Sequence, residues 1–286
     1  MNLKNGLGHL SYSTLVHAGD TWAEMNSSLR EFLPKVKQRI SPNEPFAVSL
    51  RISAASAKTL TESPEERASL AAFLKQEDLY VYTVNAFPYG PFKGELVMER
   101  VYEPDWTTDD RVNYTNSVAD ILAEISPAGV NPSIQTAPLA FKPNVADEHY
   151  VNKFTRNVFR VVKHLLELEA RTGRRVKLAL EPEPACYLET TDETVTFFKE
   201  RIYSRHGIAE LAEVAGIPIS EAEGAARRYL GIVFDIGHQS VGFENITESL
   251  NKLVDAGIPI FKLQEAASLW VDDLTQDKIS SLRRFT

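Results

Sequence analysis

Two short runs carry the side chains best suited to chemistry. LEPEP sets Glu181 and Glu183 two apart with a proline after each, and FDIGH sets Asp235 and His238 three apart around a glycine. Each follows an apolar run of the length and composition of a buried strand. Proline fixes φ and lacks an N–H, so the two glutamates are presented rather than tied into local turns. A carboxylate ending an inward-facing strand is costly to bury unless a metal ion, a cation or a substrate meets it. A salt bridge to Arg51 or Lys262 is the plainer way to meet that cost. Asp235 offers a hard oxygen and His238 a borderline imidazole, a pair suited to Mn2+, Zn2+, Co2+ or Fe2+ more than to Ca2+. The same spacing also fits an aspartate that caps the next helix.

Other strand ends add polar groups. Gln264 falls at the matching place on a later strand, where its amide oxygen can ligate or simply hydrogen-bond across the mouth. His17, Arg51 and Asn85 end the first three strand-like runs and are expected, with His238, to contact substrate. Arg51 suits a carboxylate, a phosphate or sugar hydroxyls, and would equally neutralise Glu181 or Glu183. His9, His149, His164 and His206 read as structural or surface residues. Cys186 has no histidine base near it in sequence and reads as unreactive.

These residues need elements to place them. Strand-like runs cover 9–17, 46–53, 79–87, 133–141, 176–184, 230–238 and 258–266, rich in β-branched and aromatic residues. Helical periodicity covers 21–40, 63–77, 109–125, 150–173, 192–202, 245–257 and 273–285, with an extra helical segment over 201–230. Ser63 and Pro64 form an N-terminal cap, and Gly173 and Gly257 mark C-terminal ends. Strands alternating with helices imply parallel pairing with helical crossovers. Alternate residues give a small inner face that ends in a polar residue: Ala47, Ser49, Arg51; Val81, Thr83, Asn85; Ala179, Glu181; Gly231, Val233, Asp235; Ile260, Lys262, Gln264. The opposite faces are bulky. That is the pattern of a TIM (β/α)8-type barrel with its site at the carboxyl ends of the strands. Seven β/α units are readable, and the eighth strand is expected beyond the chain end, with residues 1–286 forming one C-terminally truncated barrel domain. An open doubly wound sheet competes, but no G-x-G-x-x-G or G-x-x-x-x-G-K-[ST] follows a strand. The stretch 88–106 can cap a pocket with Phe87, Tyr89, Phe92 and Trp106, or form a surface excursion.

Composition narrows the partners. Of 286 residues 43% are hydrophobic and 24% charged, an ordinary globular balance. A net charge of −8 and no basic stripe argue against nucleic acid. One cysteine excludes an intrachain disulfide and a multi-cysteine zinc site. The start shows no long apolar signal-like run and no span long enough for a membrane, so the cytoplasm is the expected location.

With these residues placed, the chain resembles the xylose isomerase-like (sugar phosphate isomerase/epimerase) TIM-barrel superfamily. The resemblance rests on Glu181-Pro182 ending strand five and Asp235…His238 ending strand six. It implies that Glu181 and Asp235 bind a divalent metal and that His238 contacts substrate or metal. More closely, HLSYSTLVHAGDTWAEM, LRISAASAKTL, NAFPYGPFKG, LALEPEPACYLETT and FDIGHQSVGFEN resemble the metabolite traffic protein EboE family, associated with export of small metabolite precursors. Two departures stand out. The superfamily usually has histidine where Gln264 lies, and a strand-eight glutamate that this chain does not contain.

The expected function is a sugar or polyol isomerase/epimerase-like enzyme with a divalent cation, Mn, Zn, Mg or Co, on Glu181, Asp235, His238 and Gln264. The ion stabilises an enediolate while Glu181 or Glu183 moves the α-proton. The alternative is a non-catalytic, EboE-like protein that binds or carries a small metabolite on the same scaffold.

Overall fold

The inner and outer faces of seven short strands organise the molecule. The computed structural model describes residues 1–90 and 98–285. The strands are β1 (Ser11–Ser13), β2 (Phe46–Arg51), β3 (Leu79–Asn85), β4 (Ser133–Thr136), β5 (Lys177–Leu180), β6 (Leu230–Asp235) and β7 (Ile260–Gln264). They pair in chain order, every neighbour parallel. Each leads into helix: α1 (Trp22–Ile40) after β1, α2 (Ala54–Glu62) and α3 (Pro64–Gln76) after β2, α4 (Asp109–Ile125) after β3 and α5 (Glu148–Thr172) after β4. Next come α6 (Thr191–Phe197), α7 (Arg205–Ala215) and α8 (Ile219–Tyr229) after β5, α9 (Ile236–Val241) and α10 (Ile246–Asp255) after β6, and α11 (Gln276–Leu282) after β7.

The sheet curls into an incomplete α/β TIM-type barrel. Lys262 on β7 reaches across the interior to hydrogen-bond Gln135 on β4. A flat sheet would hold those strands three spacings apart, about 14 Å. β2 through β6 are buried almost throughout, whereas β7 is only half-buried, with Leu263 half exposed. Bulky outer-face residues, among them Val48, Leu50, Val84, Leu178, Leu180, Ile232 and Phe234, join the helices in one apolar core. At about 25 cal/mol per Å2 of apolar area, that burial is the main force holding the helices on the sheet.

Two departures from simple alternation were not readable beforehand. The register shifts between Val48 and Ser49 against β3, which pairs Val81 with Val48 on the outer face while Thr83 and Asn85 stay inside with Ser49 and Arg51. A second shift, between Ile232 and Val233, pairs Ile260 with Ile232 and sets Lys262 beside Val233. Each shift is a bulge of one extra residue, so Val81 and Ile260 belong to the outer set. Helix α2 is also additional. Its Ser53 cap accepts from the Ser56 N–H, but AASAKTLTE has too few large apolar residues to show a strong helical stripe. Caps elsewhere follow the sequence: Ser63 with Pro64 starts α3, and Gly173, with φ of 68°, closes α5. Among the described residues no helix is long and apolar enough to cross a membrane.

Candidate active site at the carboxyl ends of β5 and β6

Asp235 is the last residue of β6 and the N-cap of the six-residue helix α9. Its Oδ1 accepts the Gly237 N–H at 2.7 Å and the His238 N–H at 3.2 Å. A Cβ on Gly237 would lie 2.9 Å from the Ala266 Cβ and 3.0 Å from that same Oδ1, so glycine is what lets the cap close. The cap thus spends one carboxylate oxygen and leaves Oδ2 to face the barrel mouth. Capping and ligation are therefore compatible uses of one aspartate.

His238, one turn on, comes back over the mouth. Its Nδ1 lies 3.1 Å from the Pro182 carbonyl. A carbonyl only accepts, so Nδ1 carries a proton in this contact. This is the arrangement by which metal-bound imidazoles are commonly held. Proline at 182 contributes here through its carbonyl, not only through stiffness.

Glu181 is 2% exposed, as is Asp235. Ligand-type atoms of Glu181, Asp235 and His238 all lie within 4.8 Å of one another. Nδ1 of His238 is 3.8 Å from Glu181 Oε1, and its Nε2 is 3.9 Å from Asp235 Oδ2. Two hard oxygens and one imidazole nitrogen converging in a buried mouth fit a transition-metal dication. Gln264 is beside them, but its amide nitrogen donates to Asp235 Oδ2; to ligate through oxygen the amide would have to turn over.

Glu183 lies next to this cluster. Burial, and then the Glu181 charge, push its carboxyl up to about 7, with His238 and a hydrogen bond from Tyr102 acting the other way. Tyr102 OH donates to Oε1 at 3.2 Å, while Oε2 is buried with no hydrogen-bond partner among the described residues. Burial likewise raises Glu181, opposed first by His238 and then by Lys262. It raises the Cys186 thiol to about 12, which agrees with an inert cysteine.

The other strand-end residues are engaged locally. Arg51 is 3% exposed; it donates to Gly19 O at 2.6 Å, to Asp20 Oδ1 and, weakly, to Gly90 O. Its ion pair is with Asp20, not with either glutamate. His17 bonds the Tyr12 hydroxyl at 3.0 Å and meets Phe32 edge-on. Asn85 accepts the Phe87 N–H at 3.1 Å, closing the turn after β3. Trp106 is fully buried and belongs to the core rather than to a lid. Phe92 lies outside the described residues.

Three residues of the mouth carry little signal in the sequence. Gln135, on the inner face of β4, donates through its amide nitrogen to Glu181 Oε2 and accepts from Lys262 Nζ through its oxygen. Extending strict alternation to SIQT would have found it. As sequence, Lys262 reads only as a counter-ion. Burial pushes its pKa down, while Glu181 and Asp235 push it up. Its residue is half-buried because β7 borders the open side, yet the amine head lies inside against Gln135. Tyr102 has no sequence signal, since the sequence before it has no periodicity. It stacks on Phe141 at 5.8 Å and 7°.

No family model matches the chain, nor does any curated protein. The EboE-type resemblance therefore rests on its motifs alone. Among solved structures, similarity extends to a D-tagatose 3-epimerase-like protein, 20% identical over 82% of this chain and 72% of that one, with a TM-score of 0.46. It extends also to apo 3-keto-D-glucoside 4-epimerase YcjR from E. coli, 13% identical over 96% and 98%, TM-score 0.43. A zinc-bound IOLI protein is 12% identical over 93% and 76%, TM-score 0.48. Likeness at this level adds nothing to the barrel assignment, which stands on strand order and register.

Proposed function

We propose that the chain is an isomerase- or epimerase-like enzyme for a small hydroxycarbonyl compound, a sugar or polyol, using a divalent cation held by Glu181, Asp235 and His238. One observation carries this: two buried carboxylates and an imidazole converge, with a third carboxyl of raised proton affinity beside them. A bound dication there supplies Lewis acidity toward adjacent substrate oxygens. Glu183 is the group suited to moving the proton. With its carboxyl near 7, it takes a proton from a carbon next to a carbonyl and returns it without a large penalty either way. His238 is oriented by Pro182, and with Asn85 it faces the substrate. Arg51 and His17 contribute in this reading by holding the first two strand ends through Asp20 and Tyr12.

Elemental analysis of the purified protein, beside Glu181→Gln and Asp235→Asn, tests the site. Bound Mn, Zn, Mg or Co is expected in the parent protein, with each substitution lowering metal affinity at least about tenfold. If neither changes metal content, the assignment is wrong. Proton transfer is checked by solvent deuterium entering the α-carbon of ketoses.

A second reading has its own support. Both carboxylates already receive amide donors, from Gln135 and Gln264, as a metal-free binding protein would arrange. In that case the chain is a non-catalytic carrier of small metabolites. Thermal-shift stabilisation by sugars without Mn2+ dependence or turnover favours it.

A further inference from the structure

We propose that Lys262 is the resident cation of this mouth and competes with a divalent ion for Glu181 and Asp235. The inference rests on the metal reading above and deepens it by naming what opposes loading.

The geometry is a directed chain. Lys262 Nζ donates to Gln135 Oε1, and Gln135 Nε2 donates to Glu181 Oε2. Turning that amide over would set NH2 against an ammonium and oxygen against a carboxylate. The two charged ends therefore fix one orientation, and Gln135 relays the ammonium to Glu181. Asp235 shares the inner face and attracts the same amine. Arg51, a buried cation of the inner face, is held by Asp20 and Gly19. Among the described residues no Lys or Arg forms a direct salt bridge to Glu181 or Asp235.

The register explains why the lysine is there. The bulge between Ile232 and Val233 turns Lys262, not Phe261, into line with Val233 on the inner face. A dication arriving at Glu181 and Asp235 meets the repulsion of an ammonium held in the same low-dielectric space. Lys262 thus lowers metal affinity and keeps the metal-free mouth from being a pocket of uncompensated negative charge.

Calorimetric titration of metal-stripped protein with Mn2+ and with Zn2+ tests this on the parent, Lys262→Met, Lys262→Gln and Asp235→Asn. Both lysine variants are expected to bind at least about tenfold tighter than the parent, and to be stabilised more by the ion in melting experiments. Unchanged or weaker binding by folded lysine variants, with binding lost in Asp235→Asn, overturns the competition and leaves the metal site standing. Equal binding by Asp235→Asn and the parent, or none by any protein, overturns the metal reading and the competition with it. A measurement on the parent alone covers loss of folding in the variants. Acetylation at Lys262, read by mass spectrometry, should rise severalfold when Mn2+ displaces the amine; an unchanged rate overturns the proposal.

Discussion

β2 and β5 each end a buried strand in a charged side chain, Arg51 and Glu181, and the two ends are solved differently. Around Arg51 the structure supplies what the charge needs: an aspartate and the carbonyls of Gly19 and Gly90. Around Glu181 it supplies an amide, an imidazole nearly 4 Å away and two further carboxyls. A group satisfied by neighbouring strand-end loops is a brace. A group whose neighbours raise its energy is poised to meet something from outside. The strand-end position is common to both, so position alone does not identify a site.

The largest expected effect tests the brace. Arg51→Met leaves Asp20 without its cation and strands half-buried carbonyls, which should cost about 3 kcal/mol of stability, somewhat tempered because Asp20 is partly exposed. Chemical denaturation measures this, and metal titration of the same variant should give the parent affinity. A variant as stable as the parent that no longer binds a sugar ligand would move Arg51 from brace to substrate contact and end the contrast.

The poised side has a signature in pH. The Glu183 carboxyl, ordinarily near 4.5, is raised to about 7 in the fold, so between those values the folded protein holds more protons than the unfolded chain. Stability should therefore fall as pH rises through that window, by an amount on the order of 2–3 kcal/mol from this group. Glu183→Gln should flatten that part of the curve in urea denaturation of metal-free protein at pH 5 and pH 7.5. Parallel curves for parent and variant would mean that Glu183 is as relaxed as Arg51.

How far the sequence anticipates this contrast depends on which forces are local. Strand order, the parallel sheet and the carboxyl-end placement of Glu181, Asp235, His238 and Gln264 follow from periodicity and turn residues, and the structure bears out the fold. The convergence of Glu181 with Asp235 and His238 is likewise as the two motifs imply. What is not legible depends on distant partners. Nothing near LRIS says that Arg51 will pair with Asp20 thirty-one residues earlier, because that contact exists only once β1 and β2 lie side by side. The two bulges are invisible because alternation assumes an unbroken register. Tyr102 meets Glu183 across eighty-one residues, and the sequence around it has no pattern to read.

Tyr102 supplies the smallest and sharpest test of the poised side. Its hydroxyl is the donor to Glu183 Oε1, and its ring is held against Phe141 and Phe87. Tyr102→Phe keeps the stacking and removes the hydroxyl that bonds Glu183 and also meets the Cys186 thiol, so the loss in stability at neutral pH should be about 1 kcal/mol. The bond favours the charged carboxylate and opposes the burial that raises Glu183. Removing it should therefore carry the pH at which stability declines further upward, in the direction opposite to Glu183→Gln. The two substitutions act on one group, so the double variant should resemble Glu183→Gln alone, because a neutral amide has no charge for the hydroxyl to stabilise. A Tyr102→Phe curve unmoved along the pH axis would make the tyrosine a packing residue, and the raised proton affinity of Glu183 a matter of burial alone.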